Sequence, residues 1–312
     1  MKKWIAICLA LVMAMALVAC GGGSSSSSSS SAADSSSSSS TAQDQSSSSE
    51  DQSSSSEADD GIEMTGGDVS GHTVDAIKEK GVLVVTTEAG YAPFEFVDEN
   101  DNIVGLDASL AQALADDLGV TLDMQNIAFD SVVPEVQAGN ADMAIAGLTP
   151  NNDRKKSVDM SDMYYEGGQC MLVRAEDIDK YATKESLSGQ VMATQKAAMQ
   201  EYLMTEQFPD AEPLLLPDFP QCVQNLKNGD CVAVLIDEIS AEQYMKTVDG
   251  IAIGKVPVAI DPEEGGNAVA VMKGNEDLLN WVNERIAEYK AQGLTDKWFE
   301  EAQAKAESMG IE

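Results

Sequence analysis

Histidine is almost missing from this sequence: 312 residues hold one, His72. Triad catalysis of the Ser-His-Asp kind needs an imidazole inside the fold, and structural zinc is held mostly by His and Cys. The five cysteines do not fill the gap, because no two stand as Cys-x-x-Cys. A His-based catalytic centre and a metal site are therefore not expected, and no cofactor is called for. Bases are scarce too. Nineteen Lys and Arg face 53 Asp and Glu, for a net charge of −34. Nucleic-acid phosphates need a basic surface, so nucleic acid is not an expected partner. The one long apolar run, 4–19, is shorter than the about 20 residues that span a bilayer.

What is present begins with that run. Lys2 and Lys3 precede it, and it closes on Leu17-Val18-Ala19-Cys20. A positive start, an apolar segment and small residues at the end describe a secretory signal over 1–19. The Leu-Val-Ala-Cys ending resembles the lipobox of bacterial lipoproteins. That resemblance implies cleavage before Cys20 and diacylglycerol on its sulfur, a lipid anchor to the membrane. Residues 20–71 are Gly and Ser runs broken by nine acids, with no Lys or Arg. Such a composition cannot bury a core and predicts a disordered tether. About 50 residues of Gly/Ser chain reach about 40 Å. The remaining body, 72–312, keeps 44 acids against 17 bases, a net charge near −27. Its cysteines, Cys170, Cys222 and Cys231, are expected as small buried apolar residues, with a bond between Cys222 and Cys231 as the alternative.

Strand and helix alternate along the body. Apolar runs predict strands at 82–86, 120–125, 143–146 and 169–173, and helices at 107–118 and 131–138. Leu110, Leu114 and Leu118 share one helical face. A second series follows, with strands at 190–194, 213–216 and 231–236 and helices at 199–208, 218–227 and 239–246. A strand at 268–272 and helices at 276–291 and 295–308 close the chain. Each series predicts a parallel sheet covered by helices, an α/β fold in two lobes.

Several stretches resemble, in order, the extracellular solute-binding proteins of amino-acid ABC transporters, the family of the histidine- and glutamine-binding proteins. They are Thr87-Glu88-Ala89-Gly90-Tyr91-Ala92-Pro93-Phe94-Glu95-Phe96, Gly105-Leu106-Asp107, Phe129-Asp130-Ser131-Val132-Val133-Pro134 and Ala138-Gly139-Asn140-Ala141-Asp142. The stretch 149–154, Ser161-Asp162-Met163-Tyr164-Tyr165 and Val234-Leu235-Ile236-Asp237 complete the set. The resemblance implies a periplasmic-binding-protein-like fold of type II, with ligand in the inter-lobe cleft and two hinge strands. On it, lobe 1 is 72–172 with 266–312, and lobe 2 is 173–265. It implies a free amino acid as ligand, ABC permease subunits as partners, a monomer outside the cytoplasm, and no enzymatic activity. A cyclohexadienyl (prephenate or arogenate) dehydratase-type enzyme with Glu88 as its acid, or a ligand-sensing domain, are the alternatives on the same fold.

The resemblance also assigns residues. Arg154 holds the α-carboxylate, a role suited to a planar, permanently charged fork. Asn152 or Asp153 is expected to cap the helix around it. Gly147 through its carbonyl, Thr149 and Asp237 surround the α-ammonium. Glu88, Tyr91 and Phe129 meet the ligand side chain, and an acid at Glu88 suits a basic or amide group. Lys196 is the expected counter-charge should the ligand be acidic. One stretch departs from the family: Gln195-Lys196-Ala197-Ala198-Met199 has Ala197 for a Gly, and Ala198 and Met199 for hydroxyl residues, leaving Met199 to line the site.

Overall fold

The structure is a computed structural model and describes residues 67–310. The expected signal peptide, Cys20 and the tether as far as residue 66 lie outside the described residues.

The apolar strand Val82–Thr87 (β1) is followed by an antiparallel ribbon, Gly90–Tyr91 (β2), Glu95–Val97 (β3) and Ile103–Val104 (β4). Helix Leu106–Leu118 buries Leu106, Leu110, Leu114 and Leu118, each four residues on from the last, as the 3.6-residue period requires. Strands Thr121–Asn126 (β5), Met143–Ala144 (β6) and Val158–Glu166 (β7) follow. The second lobe carries Gln169–Arg174 (β8), Val191–Gln195 (β9), Glu212–Leu216 (β10), Ala233–Asp237 (β11) and Ile251–Ile253 (β12). The last strand is Gly266–Met272 (β13).

One sheet runs β5-β1-β6-β13-β7 and the other β10-β9-β11-β8-β12. In each, three strands are parallel, β1 between β5 and β6, and β9 between β10 and β11. Antiparallel strands complete each sheet, β13 between β6 and β7 and β8 between β11 and β12. Apolar side chains fill the space under both. Val132, Val136, Leu148, Val158 and Ala270 pack in the first lobe, and Met171, Met192, Leu203, Phe208 and Leu235 in the second.

The chain crosses from the first sheet to the second at Gly167 and Gly168 and returns over 254–265. The crossings run side by side: the Gly167 N–H donates to the Gly265 carbonyl at 2.9 Å, and Gln169 bridges Val258. A Cβ at Gly266 would stand 2.1 Å from the Tyr165 carbonyl oxygen, so this close approach requires glycine. Two lobes joined by two hinge segments is the architecture that the sequence predicts. One boundary differs. The 172/173 division cuts through β8, whose ladder with β11 puts the whole strand in the second sheet. The crossing thus comes at 167–168, between β7 and β8. Strands β7 and β12 and the β2–β4 ribbon have no counterpart in the sequence reading.

Cys170, Cys222 and Cys231 are buried and free, so the alternative Cys222–Cys231 bond is not formed. Among the described residues no cluster of His, Cys, Asp and Glu is placed to hold a metal ion. Among them, too, no helix is long and apolar enough to cross a membrane.

Candidate functional site

Four parallel strands end at the junction of the lobes. β1 stops at Thr87, just before Glu88, and β6 stops three residues before Gly147; β9 stops at Gln195 and β11 at Asp237. Open α/β sheets bind ligands outside the carboxyl ends of such strands. There the structure encloses a cavity of about 20 Å³. Tyr91, Phe129, Gly147, Thr149, Arg154, Met199 and Asp237 all line it. Glu88 does not; it lies beside the cavity.

The first wall is the turn after β6. Gly147 has φ +56, and a Cβ there would stand 3.0 Å from the Tyr91 ring, so this position favours glycine. Its N–H donates to Asp107 Oδ2 at 2.7 Å, while Asp107 Oδ1 accepts from the Tyr164 hydroxyl at 2.8 Å. Glu95 is buried beside Asp107. Burial, then the Asp107 charge, push the Glu95 carboxyl well above the usual range. The short helix Asn152–Ser157 is capped by Asn151, whose Oδ1 accepts from the Arg154 N–H at 2.8 Å. The expected caps, Asn152 and Asp153, instead form the first turn.

Arg154 is only 9 % exposed. Its Nη1 donates to the Thr149 carbonyl at 2.9 Å, and its Nη2 reaches across the cleft to the Ala197 carbonyl at 3.1 Å. The Phe129 ring lies 5.6 Å from Cζ, a cation–π distance. Phe129 therefore packs on the arginine as well as lining the cavity. Burial lowers the Arg154 pKa to about 10, so the group stays charged at neutral pH.

The second wall carries Asp237. Its Oδ1 accepts from the Ser240 N–H at 2.8 Å and so caps helix Glu238–Thr247, while its Oδ2 accepts from the Tyr91 hydroxyl of the other lobe. Its two oxygens let it cap the helix and face the cleft at once. Burial raises its pKa to about 6. Ala197 has φ +64, the left-handed region that favours glycine, at the position where the sequence departs from the family's Gly. Lys196 pairs at 2.9 Å with Asp130 on the surface, not with Glu88, so it is not the expected counter-charge in the site.

Gln195, Gln169, Gln200, Phe219 and Asn267 also line the cavity and were not singled out from sequence. Gln195 Nε2 donates to Glu88 Oε2 at 3.2 Å and to the Pro217 carbonyl at 3.0 Å. Burial, with Asp218 nearby, pushes Glu88 up to about 7 against the effect of that hydrogen bond. Phe219 stacks on Tyr91 at 4.9 Å. Gln195 was legible as the polar end of an apolar strand. Nothing local marks the others.

Two lobes, a cleft at the strand ends and a charged pair drawn from both sides define a two-lobed binding protein. Residues 83–301 match the bacterial extracellular solute-binding proteins, family 3. The chain belongs to this family. It is 34% identical over 229 residues to the arginine-binding extracellular protein ArtP of Bacillus subtilis, covering 70% of this chain and 87% of that protein. It is 31% identical over 228 residues to the L-cystine-binding protein TcyJ of Escherichia coli, covering 72% and 84%. Among solved structures it resembles an amino acid ABC transporter substrate-binding protein from Streptococcus pneumoniae bound to L-arginine. That match has a TM-score of 0.70 and 38% identity, covering 74% of this chain and 97% of the other. These relatives are named as binding proteins, and the chain is a solute-binding protein rather than an enzyme.

Proposed function

We propose that this protein captures a polar L-amino acid, with a basic or amide side chain, for an ABC importer. Arg154 would hold the α-carboxylate. Asp237, with Thr149 and the Gly147 carbonyl, would hold the α-ammonium. Glu88 and Gln195 would meet the distal nitrogen, with Tyr91, Phe129 and Met199 against the aliphatic part. In this reading the mature chain is anchored by lipid on Cys20, the tether 20–71 gives the monomeric body its reach, and the closed form docks on permease subunits.

One observation carries the reading. Arg154 of the first lobe and Asp237 of the second line the same cavity with opposite charges. A zwitterion complements both at once. A ligand held from both lobes binds the closed form better, which is the differential affinity that drives closure. The two named relatives, arginine- and cystine-binding, support an amino acid as ligand and leave its side chain open.

Thermal unfolding of protein first stripped by unfolding and refolding, with each of the twenty amino acids, tests this. One or more of arginine, lysine, histidine and glutamine should raise the midpoint by several degrees at millimolar concentration, by mass action. No shift with any of the twenty would overturn it.

A further inference from the structure

Strand β13 is apolar from Ala268 to Met272 and buried along its whole length. Asn267 is the exception. Its side chain is 8 % exposed, and it lines the same cavity as Arg154 and Asp237. Its Nδ2 is buried and has no hydrogen-bond partner. The neighbouring amides do not supply one: Gln200 Nε2 donates to Gln169 Oε1 at 2.7 Å, and these two serve each other. Buried polar groups are almost always paired, so an amide left over at a cavity wall points to a partner that enters the cavity.

The register between β13 and β7 shifts at Asn267 and Ala268, where the chain re-enters the first lobe; the extra residue, Tyr164, lies on β7. Just past the shift, the Ala268 N–H donates to the Leu148 carbonyl at 2.8 Å. That bond ties the strand to Leu148, next to Thr149, whose carbonyl accepts from Arg154 at 2.9 Å. The unpaired group is a donor, so its complement is an acceptor. In a bound amino acid the acceptor nearest the arginine wall is the α-carboxylate, and Arg154 leaves lone pairs of that group free.

We infer that Asn267, standing where a hinge segment rejoins the sheet, binds the ligand by donating its side-chain amide to the α-carboxylate. The inference rests on the amino-acid reading above. It makes the hinge itself a contact for the ligand, besides the two walls. The contact uses the part common to all amino acids, so its effect does not depend on the side chain bound.

Calorimetric titration of the stripped full chain with L-arginine, L-lysine, L-histidine and L-glutamine tests it. Asn267→Ala should weaken every amino acid that binds the parent by about tenfold, the worth of one good hydrogen bond to a charged group. Asn267→Asp, which sets a carboxylate against the ligand's carboxylate, should weaken it further. Affinity within twofold of the parent for Asn267→Ala, or tighter binding by Asn267→Asp, would overturn the contact while leaving amino-acid capture intact. Should either variant fold poorly, the side-chain amide resonances of Asn267 in the 15N-labelled parent give the answer. They should shift on titration with the bound amino acid, and an unmoved pair would overturn the inference. A parent that binds none of the four would remove the reading itself together with the contact.

Discussion

The two walls of the cleft are built differently. On the first, Gly147 and Arg154 are held from behind. Gly147 is fixed by Asp107, which Tyr164 supports in turn, and Arg154 is fixed by the Asn151 cap and the Phe129 ring. The second wall offers less. Ala198, at the N-cap of helix Met199–Gln207, makes no side-chain cap bond, and Ala197 holds a backbone conformation suited to glycine. Besides the amides and apolar side chains that line it, this wall contributes the Ala197 carbonyl and the Asp237 carboxylate. The contrast separates two tasks. A site held rigid before binding loses less freedom when the ligand arrives. The first wall is organised to anchor, and the second to close.

The largest effect should therefore fall on the first wall. In the proposed reading Arg154→Ala removes the positive charge that holds the ligand's carboxylate. It should cost about 3–5 kcal/mol of affinity for every amino acid, the usual penalty for leaving a buried charge unpartnered. Asp237→Asn should cost less, about 1–2 kcal/mol, because Asn keeps the helix cap and still accepts from Tyr91. Calorimetry on both variants measures the ratio. Equal losses would erase the distinction between an anchoring wall and a closing wall.

Glu88 sharpens the comparison through pH. Its carboxyl in the folded protein holds a proton up to about 7, against an ordinary value of 4.5. Between these values the folded chain binds more protons than the unfolded one. Stability contributed by this group is thus full below pH 4.5 and declines as pH rises through 7. Allowing for the partial exposure of Glu88, the decline amounts to about 1–2 kcal/mol. Asp237, raised to about 6, acts in the same direction. The Glu88→Gln variant keeps the contribution of Asp237 and loses that of Glu88. Its melting temperature should fall less than the parent's between pH 5 and 8, by about 2–4 °C. Parallel curves would mean that Glu88 is hydrated in solution. The same variant should alter which amino acid is preferred more than whether one binds.

The contrast between the walls also explains what was legible in the sequence. Strands such as Val82–Thr87 and the helix Leu106–Leu118 announce themselves by runs and periods of apolar residues. The turn from Gly147 to Arg154 could be read only through its place in the ordered set of stretches that resemble the family, since its own composition also suits an exposed basic run. Strand β7 escaped because Val158–Glu166 mixes acids with apolar residues along an edge, where only one face is covered. Gln169, Gln200 and Asn267 escaped for a different reason. Each is an ordinary amide in its own neighbourhood, and only the crossing of two distant segments at the hinge sets them around one cavity. The pairing of Glu88 with Gln195 spans the lobes in the same way. The helix cap at Asn151 was off by one residue, since three consecutive residues of similar capping power leave the choice to the backbone.

The smallest effect concerns the second wall alone. Ala197 stands at φ +64 with its N–H donating to Glu201 at 2.7 Å and its carbonyl accepting from Arg154, so the conformation is pinned at both ends. A residue with a Cβ costs about 1–2 kcal/mol in the left-handed region, and glycine gives back part of that by gaining freedom in the unfolded chain. Ala197→Gly should therefore stabilise the protein by about 0.5–1 kcal/mol, a rise of about 1–4 °C in melting temperature. The same change at a position on the first wall, such as Ala146, should destabilise instead, because the methyl there is buried in the core and its loss leaves a small void. Opposite signs for the two substitutions would place the strained backbone on the wall that closes. A drop in melting temperature for Ala197→Gly would mean that the second wall is as relaxed as the first, and that the difference between them lies in side chains alone.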